Sequence, residues 1–396
     1  MTLERRRVLA FAFCCAILSV PFFRQLYFRK CETLPRLEEV GAHENLVGTG
    51  GYSRNSTGAL FSKEWEESYG SGHAGCDLGR KRYYWRPCGF GSNVVHLLNA
   101  FVYAVAVQKW SDVAVISPPG ALDALRCTTE FGITVEGYYC LFKPMPHVCS
   151  FGKEKEWIDF MKSKQVPQPD VKKAPTLHWQ MLRSRASWKV EETALAEHGV
   201  DVFGALAVMA RHFWKNLSPH LEEDVRKTLD RPEVDIFLKQ PYVGFHIRRG
   251  DKVAEGEAAK VETPKYLEAA LKYYQDRSPR EAEKIKAIWV ASDDKDAVKE
   301  VRAIVRDYFP KVADQDVVWI SGGADGGAVA TRSTSEAYEG FVTVFADLKM
   351  LSAASVFVGT YSSNVGRLVA LLREGIGGHA RETCISLDRT RFGLEY

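Results

Sequence analysis

The chain of 396 residues lacks any strong excess of charge: 53 Lys and Arg stand against 50 Asp and Glu, a formal net charge of +3. That balance removes the usual electrostatic footprint of a nucleic-acid binder. Internal repeats and low-complexity tracts are also missing, which excludes solenoids and largely disordered chains. The nine cysteines include no CxxC pair, so zinc-ribbon and thioredoxin spacings are absent and a metal site is not expected. No GxxxxGK[ST] loop occurs either, which removes the common phosphate cradle of ATP and GTP enzymes. Long apolar runs are scarce. What remains is an ordinary globular composition, 46% hydrophobic and 26% charged, with length enough for about two domains.

The one long apolar run is VLAFAFCCAILSVPFF, residues 8–23, which follows MTLERRR. As a helix its sixteen residues would reach roughly 24 Å, enough for a thin bilayer. Arg5, Arg6 and Arg7 would stay cytosolic and send the rest of the chain into a lumen. A cleaved signal peptide begins the same way, but no small-x-small cleavage site follows and Pro21, Phe22 and Phe23 prolong the run. Residues 1–28 are therefore expected to form a cytosolic tail and signal anchor. The Gly-, Ser- and Asn-rich stretch 29–75 is expected to be a stem. Two sequons, at Asn55 and Asn216, suit a lumenal, glycosylated protein. Five cysteines, Cys76, Cys88, Cys127, Cys140 and Cys149, crowd into one region, which in an oxidising compartment points to disulfides.

The globular remainder divides near residue 240. Residues 76–240 carry helical patterns, among them VVHLLNAFVYAVAVQ and ALAVMARHFW, and one apolar strand candidate, VAVIS. From 241 to 396 strands and helices alternate. YVGFHI, AIWVASD, VVWI and SVFVGTYSS are strands, CISL reads as one more, and amphipathic helices lie between them. That alternation predicts an α/β fold with a parallel sheet covered on both faces. Such sheets bind ligands beyond the C-terminal ends of their strands. Three polar groups fall there: Arg248 and Arg249 in GFHIRRGDKV, Asp293 and Asp294 in WVASDD, and Ser362, Ser363 and Asn364 in VGTYSSN. Arginine grips phosphate with a planar fork, and a helix N-terminus offers free N–H groups. Together they predict a diphosphate cradle. Each group also has a plain structural use, the arginines in a salt-bridge cluster with the acids and Ser363 or Asp294 as helix caps.

GFHIRRGDKV, WVASDD and FADLKMLSAASVFVGTYSSNVGRL, in that order, resemble the motifs of the α1,6-fucosyltransferases, and CGFGSNVVHLL resembles the glycine-rich turn of their first domain. The HxRRxD element is shared with the α1,2- and protein O-fucosyltransferases. The resemblance implies the glycosyltransferase B architecture, two Rossmann-like domains facing a cleft: an acceptor-side domain at 76–240 and a domain binding the GDP-sugar at 241–396. It implies GDP-fucose as donor, a glycan or glycoprotein as acceptor, inversion at the anomeric carbon, and no metal or other cofactor. By the same resemblance, Arg248 and Arg249 belong at the diphosphate, with Ser363 and Asn364 on its far side, and Asp251 and Ser362 are implied among the donor-binding residues. His246 and Asp347 match the residues that hold guanine, and a carboxylate suits guanine because it accepts both the N1–H and the exocyclic amine. Asp293, Asp294 and Lys252 are implied among the catalytic groups. Glu257 is implied as the base, with Glu255 the other acid of DKVAEGEAAK in range of that place. A disulfide Cys76–Cys149 is implied as well, with Cys127–Cys140 the second pairing. Asn364 stands where the family usually has Gln, and Ser92 where vertebrate members have Cys. The setting implied is the Golgi membrane, single-pass, with the catalytic part lumenal. The readings that compete are a protein O- or α1,2-fucosyltransferase and an inactive, membrane-anchored glycan-binding protein.

Overall fold

The structure is a computed structural model that describes residues 81–84, 94–95, 98, 102, 113–117, 126–128, 134–136, 140–143, 148–150, 201–250, 253, 260–277, 279–320 and 334–388. All of these lie in one compact unit, Tyr52–Tyr396. The expected anchor and stem, residues 1–75, lie outside the described residues. No helix among the described residues is long and apolar enough to cross a membrane.

The early part of the unit contains a parallel sheet in the order β1 (Lys81–Tyr84), β2 (Val113–Ser117), β5 (Val148–Ser150). A separate antiparallel pair is formed by β3 (Arg126–Thr128) and β4 (Thr134–Glu136). Val94, Val95, Leu98 and Val102 are helical and buried. Their spacing puts them on one stripe of a helix, as the pattern predicts. A disulfide joins Cys127 to Cys140, with Cα atoms 5.6 Å apart. Cys76 and the side chain of Cys149 lie outside the described residues, and the pairing implied for them lies there too.

Three helices follow: α1 (Val202–Lys215), α2 (Pro219–Leu229) and α3 (Asp235–Lys239). Asp201 caps α1 by accepting the Gly204 N–H at 2.6 Å. Ser218 caps α2, and Pro219 occupies its first turn, where a missing N–H costs nothing. This is also where the second sequon sits. The Asn216 amide donates to the His212 carbonyl at 2.7 Å, and Leu217 and Ser218 are buried.

The second sheet is all parallel, in the order β10 (Cys384–Ser386), β9 (Val356–Gly359), β6 (Val243–Ile247), β7 (Ile288–Ser292), β8 (Val317–Val318). The chain starts in the middle at β6, winds outward through β7 and β8, then crosses back to β9 and β10. Its helices are α4 (Thr263–Arg277), α5 (Pro279–Ala282), α6 (Lys295–Tyr308), α7 (Thr334–Ala353) and α8 (Asn364–Gly375). The central strands of this sheet are apolar because both faces are covered. Val243, Phe245 and Ile247 join α4 and α6 in one core cluster. The opposite face, with Trp289, Ala291 and Phe357, packs beneath α7 and α8. Burying each large apolar side chain contributes roughly 1.5–3 kcal/mol. On that second face α1 lies along α8 and α2 along α7, so helices from before residue 240 complete the cover of the sheet that follows it.

Candidate functional site

Strands β6 and β9 are neighbours, yet their connections leave in opposite directions, toward β7 and toward β10. That is the topological switch point, where an open α/β sheet leaves a crevice at its C-terminal edge. Arg248 follows β6 there, Asp293 follows β7, and the turn Thr360–Ser363 follows β9 into α8. The structure thus brings the three expected groups to one edge.

Asp293 organises the β6 end. Its carboxylate accepts the backbone N–H groups of Arg249 and Gly250, both at 2.9 Å, and meets the Arg248 guanidinium at 2.7 Å. A Cβ on Gly250 would lie 2.3 Å from Asp293 Oδ2, so only glycine lets the carboxylate approach this backbone. Arg248 keeps 28% of its side chain exposed, against 11% for its acid partner. Arg249, expected at the diphosphate, is 5% exposed and points inward. Its fork donates to both Glu300 oxygens, at 2.9 and 2.8 Å, and to the Thr263 hydroxyl at 2.6 Å. The Arg249 bonds, with one from the Thr263 hydroxyl to Glu300, hold Glu300 well below the ordinary carboxylate range, at about 2. Asp294 caps α6 by accepting the Asp296 N–H. The structural use of Arg249 and Asp294 is therefore explicit.

Ser363 caps α8, but its hydroxyl makes no capping hydrogen bond. Asn364 Oδ1 accepts from Arg367 at 3.0 Å. The preceding turn is held by an acid that sequence reasoning missed. Asp388 accepts the Tyr361 N–H at 2.8 Å and the Ser362 N–H at 3.1 Å. Its pKa is lowered: burial pushes it up, and these bonds together with those from Ser362 and Ser386 outweigh that push. Its only signal in the sequence is its place, just beyond the last strand in CISLD.

His246 lies on β6 with its side chain on the α7 face, 6% exposed, and its Nδ1 is buried without a hydrogen-bond partner. Burial, reinforced by Arg248 and opposed by Asp293, pushes its pKa down to about 4, so the ring is neutral at pH 7. Asp347, on α7, is half-buried on the flank of the stripe Ala337, Phe341, Val344, Leu348 and Leu351. Burial raises its pKa to about 8, against a hydrogen bond from the Trp289 indole at 2.9 Å. Gly244, two residues before His246, lets α7 press onto the sheet, since a Cβ there would lie 2.9 Å from Leu351. Asp347 is one helical turn from Leu351, a rise of about 6 Å that matches two strand residues. His246 and Asp347 therefore stand at one level on one face of the sheet. Asp251, Lys252, Glu255 and Glu257 lie outside the described residues.

A partly exposed arginine, a serine at a helix N-terminus with no capping bond and two polar groups between sheet and helix define a class: an α/β protein with a polar crevice at its switch point. The model of alpha-(1,6)-fucosyltransferase N- and catalytic domains matches residues 84–390, and the chain belongs to that family. An alpha-(1,6)-fucosyltransferase of Drosophila melanogaster is 29% identical over 150 residues, 38% of this chain and 22% of that protein. The aligned stretch thus spans about a fifth of that relative's length. The chain is also similar to the solved fucosyltransferase NodZ from Bradyrhizobium, at 13% identity and a TM-score of 0.42, covering 74% of this chain and 93% of that one. A structure of POFUT1 in complex with GDP-fucose aligns at 13% identity and a TM-score of 0.42, covering 80% and 99%.

Proposed function

We propose that the protein is an inverting, metal-independent fucosyltransferase that moves fucose from GDP-β-L-fucose to a glycan hydroxyl, O6 of the core GlcNAc of an N-glycan. The observation that carries the reading is Arg248, partly exposed at the switch point and oriented by Asp293. Membership of the family supports the reaction. In it, His246 and Asp347 hold guanine, Arg248 meets the β-phosphate, and Ser362, Ser363 and Asn364 close the far side of the diphosphate. Arg249 and Asp294 serve the site from behind, by fixing the turn and the start of α6. Glu257 takes the acceptor proton as the oxygen attacks the anomeric carbon, and the bond to the β-phosphate oxygen breaks with its electron pair leaving on GDP. Arg248 then faces the charge that builds on the departing diphosphate, where a preorganised cation is worth most. The surrounding architecture is the two-domain glycosyltransferase B cleft, held in the Golgi lumen by the N-terminal anchor.

The test is transfer of labelled fucose from GDP-fucose to a panel of N-glycans, chitobiose-like oligosaccharides and folded protein domains, with GDP affinity measured alongside. The expected result is GDP binding in the presence of EDTA and transfer to glycans with an unsubstituted core GlcNAc. Transfer to protein hydroxyls alone would move the chain to the protein O-fucosyltransferase reading. GDP binding without transfer to any acceptor would favour an inactive glycan-binding protein.

A further inference from the structure

Trp289 heads the fully buried side chains of the described core. Most of its ring is held by packing: it meets Phe237 edge-on, with centroids 5.3 Å apart, and Phe237 meets Tyr242 in the same way. A buried indole needs an acceptor for its N–H, and any carbonyl would serve. Here the acceptor is the Asp347 carboxylate, at 2.9 Å. The backbone brings this about. Trp289 is the Cα partner of Gly244 across β6 and β7, and Gly244 is where α7 comes down onto the sheet.

We infer that Trp289 is a positioning residue of the donor site: its indole N–H fixes Asp347 Oδ1 and holds the carboxylate ready to accept the paired donors of guanine. The inference rests on the donor reading above. Guanine presents N1–H and an exocyclic amine side by side, and only an ionised carboxylate accepts both. Burial works against ionisation of Asp347, and the Trp289 bond is what opposes it. The titratable and charged side chains that meet α7 are His220 and Asp224 of α2, at Tyr338, and Arg373 of α8, at the α7 C-terminus, with His246 on the face of β6 that α7 covers. Arg373 is spent on the carbonyls of Leu351, Ala354 and Ser355, and Asp224 on the Tyr338 hydroxyl. None of these groups adds to the displacement of Asp347, which has two causes, burial and the indole. Trp289 therefore acts on affinity through orientation and through the fraction of carboxylate ionised near neutral pH.

The experiment uses the full chain and its Trp289→Phe variant, which keeps a ring in the core and removes the N–H. Affinities for GDP and for inosine diphosphate, which lacks the exocyclic amine, are measured by calorimetry from about pH 6 to about pH 9.5, a range that brackets the ionisation of Asp347. In the wild type, GDP binding tightens with pH through a midpoint of about 8, until guanine begins to lose its own N1 proton at the top of the range, and GDP is preferred. In Trp289→Phe, GDP affinity at pH 7 falls on the order of tenfold, the midpoint moves to higher pH, and the preference over inosine diphosphate narrows. In an Asp347→Asn background the same change leaves GDP affinity unmoved, which a merely structural role for Trp289 would not do. The wild-type protein supplies an independent readout: the Trp289 indole N–H resonance should titrate with a midpoint of about 8, and Asp347→Asn should abolish that titration. GDP binding by the wild type with the same pH midpoint in Trp289→Phe overturns this inference alone. A wild type that binds no GDP overturns the donor reading and this inference with it.

Discussion

Arg248 and His246 are two residues apart, one just past the end of β6 and the other on it, and they answer to different measurements. The arginine is 28% exposed and its fork meets Asp293; in the proposed reaction its value should lie in the departing diphosphate and not in the resting complex. Arg248→Lys keeps a charge and loses the planar fork. The expected result is a fall in transfer rate of about a hundredfold or more, equivalent to about 3 kcal/mol of transition-state stabilisation. GDP affinity should change far less, and single-turnover kinetics beside calorimetry separate the two. His246 answers to pH. Its folded pKa, about 4, lies below the ordinary 6.5. Between those values the unfolded chain takes up a proton that the folded protein refuses, so stability should fall as pH drops from 6.5 toward 4, by at most about 3 kcal/mol. Urea unfolding at a series of pH values should show that slope in the wild type and a flatter one in His246→Gln.

At the scale of single elements, the end of α7 shows what a helix needs when it stops inside a core. Its last carbonyls have no helical partners, and the fully buried Arg373 of α8 donates to that of Leu351 and to those of Ala354 and Ser355 just beyond the helix, with a further bond to the Thr383 hydroxyl at 2.8 Å. Arg373→Leu should strand several buried acceptors and cost about 3 kcal/mol or more, read as a lower urea midpoint with an unchanged slope. Arg373 also marks the limit of what the sequence made legible. The elements after residue 241 could be read because their periods switch cleanly between 2 and 3.6, and β6, β7, β9 and α4, α6, α7, α8 stand where YVGFHI, AIWVASD, SVFVGTYSS and the intervening stripes put them. The strand-end groups were legible too, since sheet topology alone brings them to one edge. Arg373, Glu300 and Asp388 were not: each acts on a partner far along the chain, and a lone charged residue in an amphipathic helix or past a short strand looks like any solvated one. The inward turn of Arg249 was hidden for the same reason, because its partner Glu300 lies 51 residues away.

For the whole molecule, packing ignores the boundary that motif reading places near residue 240. Ala205, Leu206, Ala207 and Met209 of α1 and Leu221 and Val225 of α2 belong to the same core cluster as Trp289 and Phe357 of the second sheet. Gly375 of α8 comes so close to α1 that a Cβ would lie 2.2 Å from the Ala207 carbonyl. A fragment of residues 241–396 should therefore expose one face of its sheet and bind a hydrophobic dye, whereas a fragment begun at 201 should lose less of its near-UV signal. Circular dichroism and dye binding on the two fragments would decide this. The Asp388 clamp carries a consequence for the order in which the protein becomes competent. Arg248 leaves the ribosome 140 residues before Asp388, on the order of ten seconds at usual synthesis rates. Before Asp388 emerges β6 can already pair with β7, but the turn after β9, made 26 and 27 residues earlier, lacks the acid that ties down its Ser362 and Tyr361 N–H groups. That turn is thus fixed last, so the nascent chain passes through a stage with its sheet begun and this edge of the crevice still open.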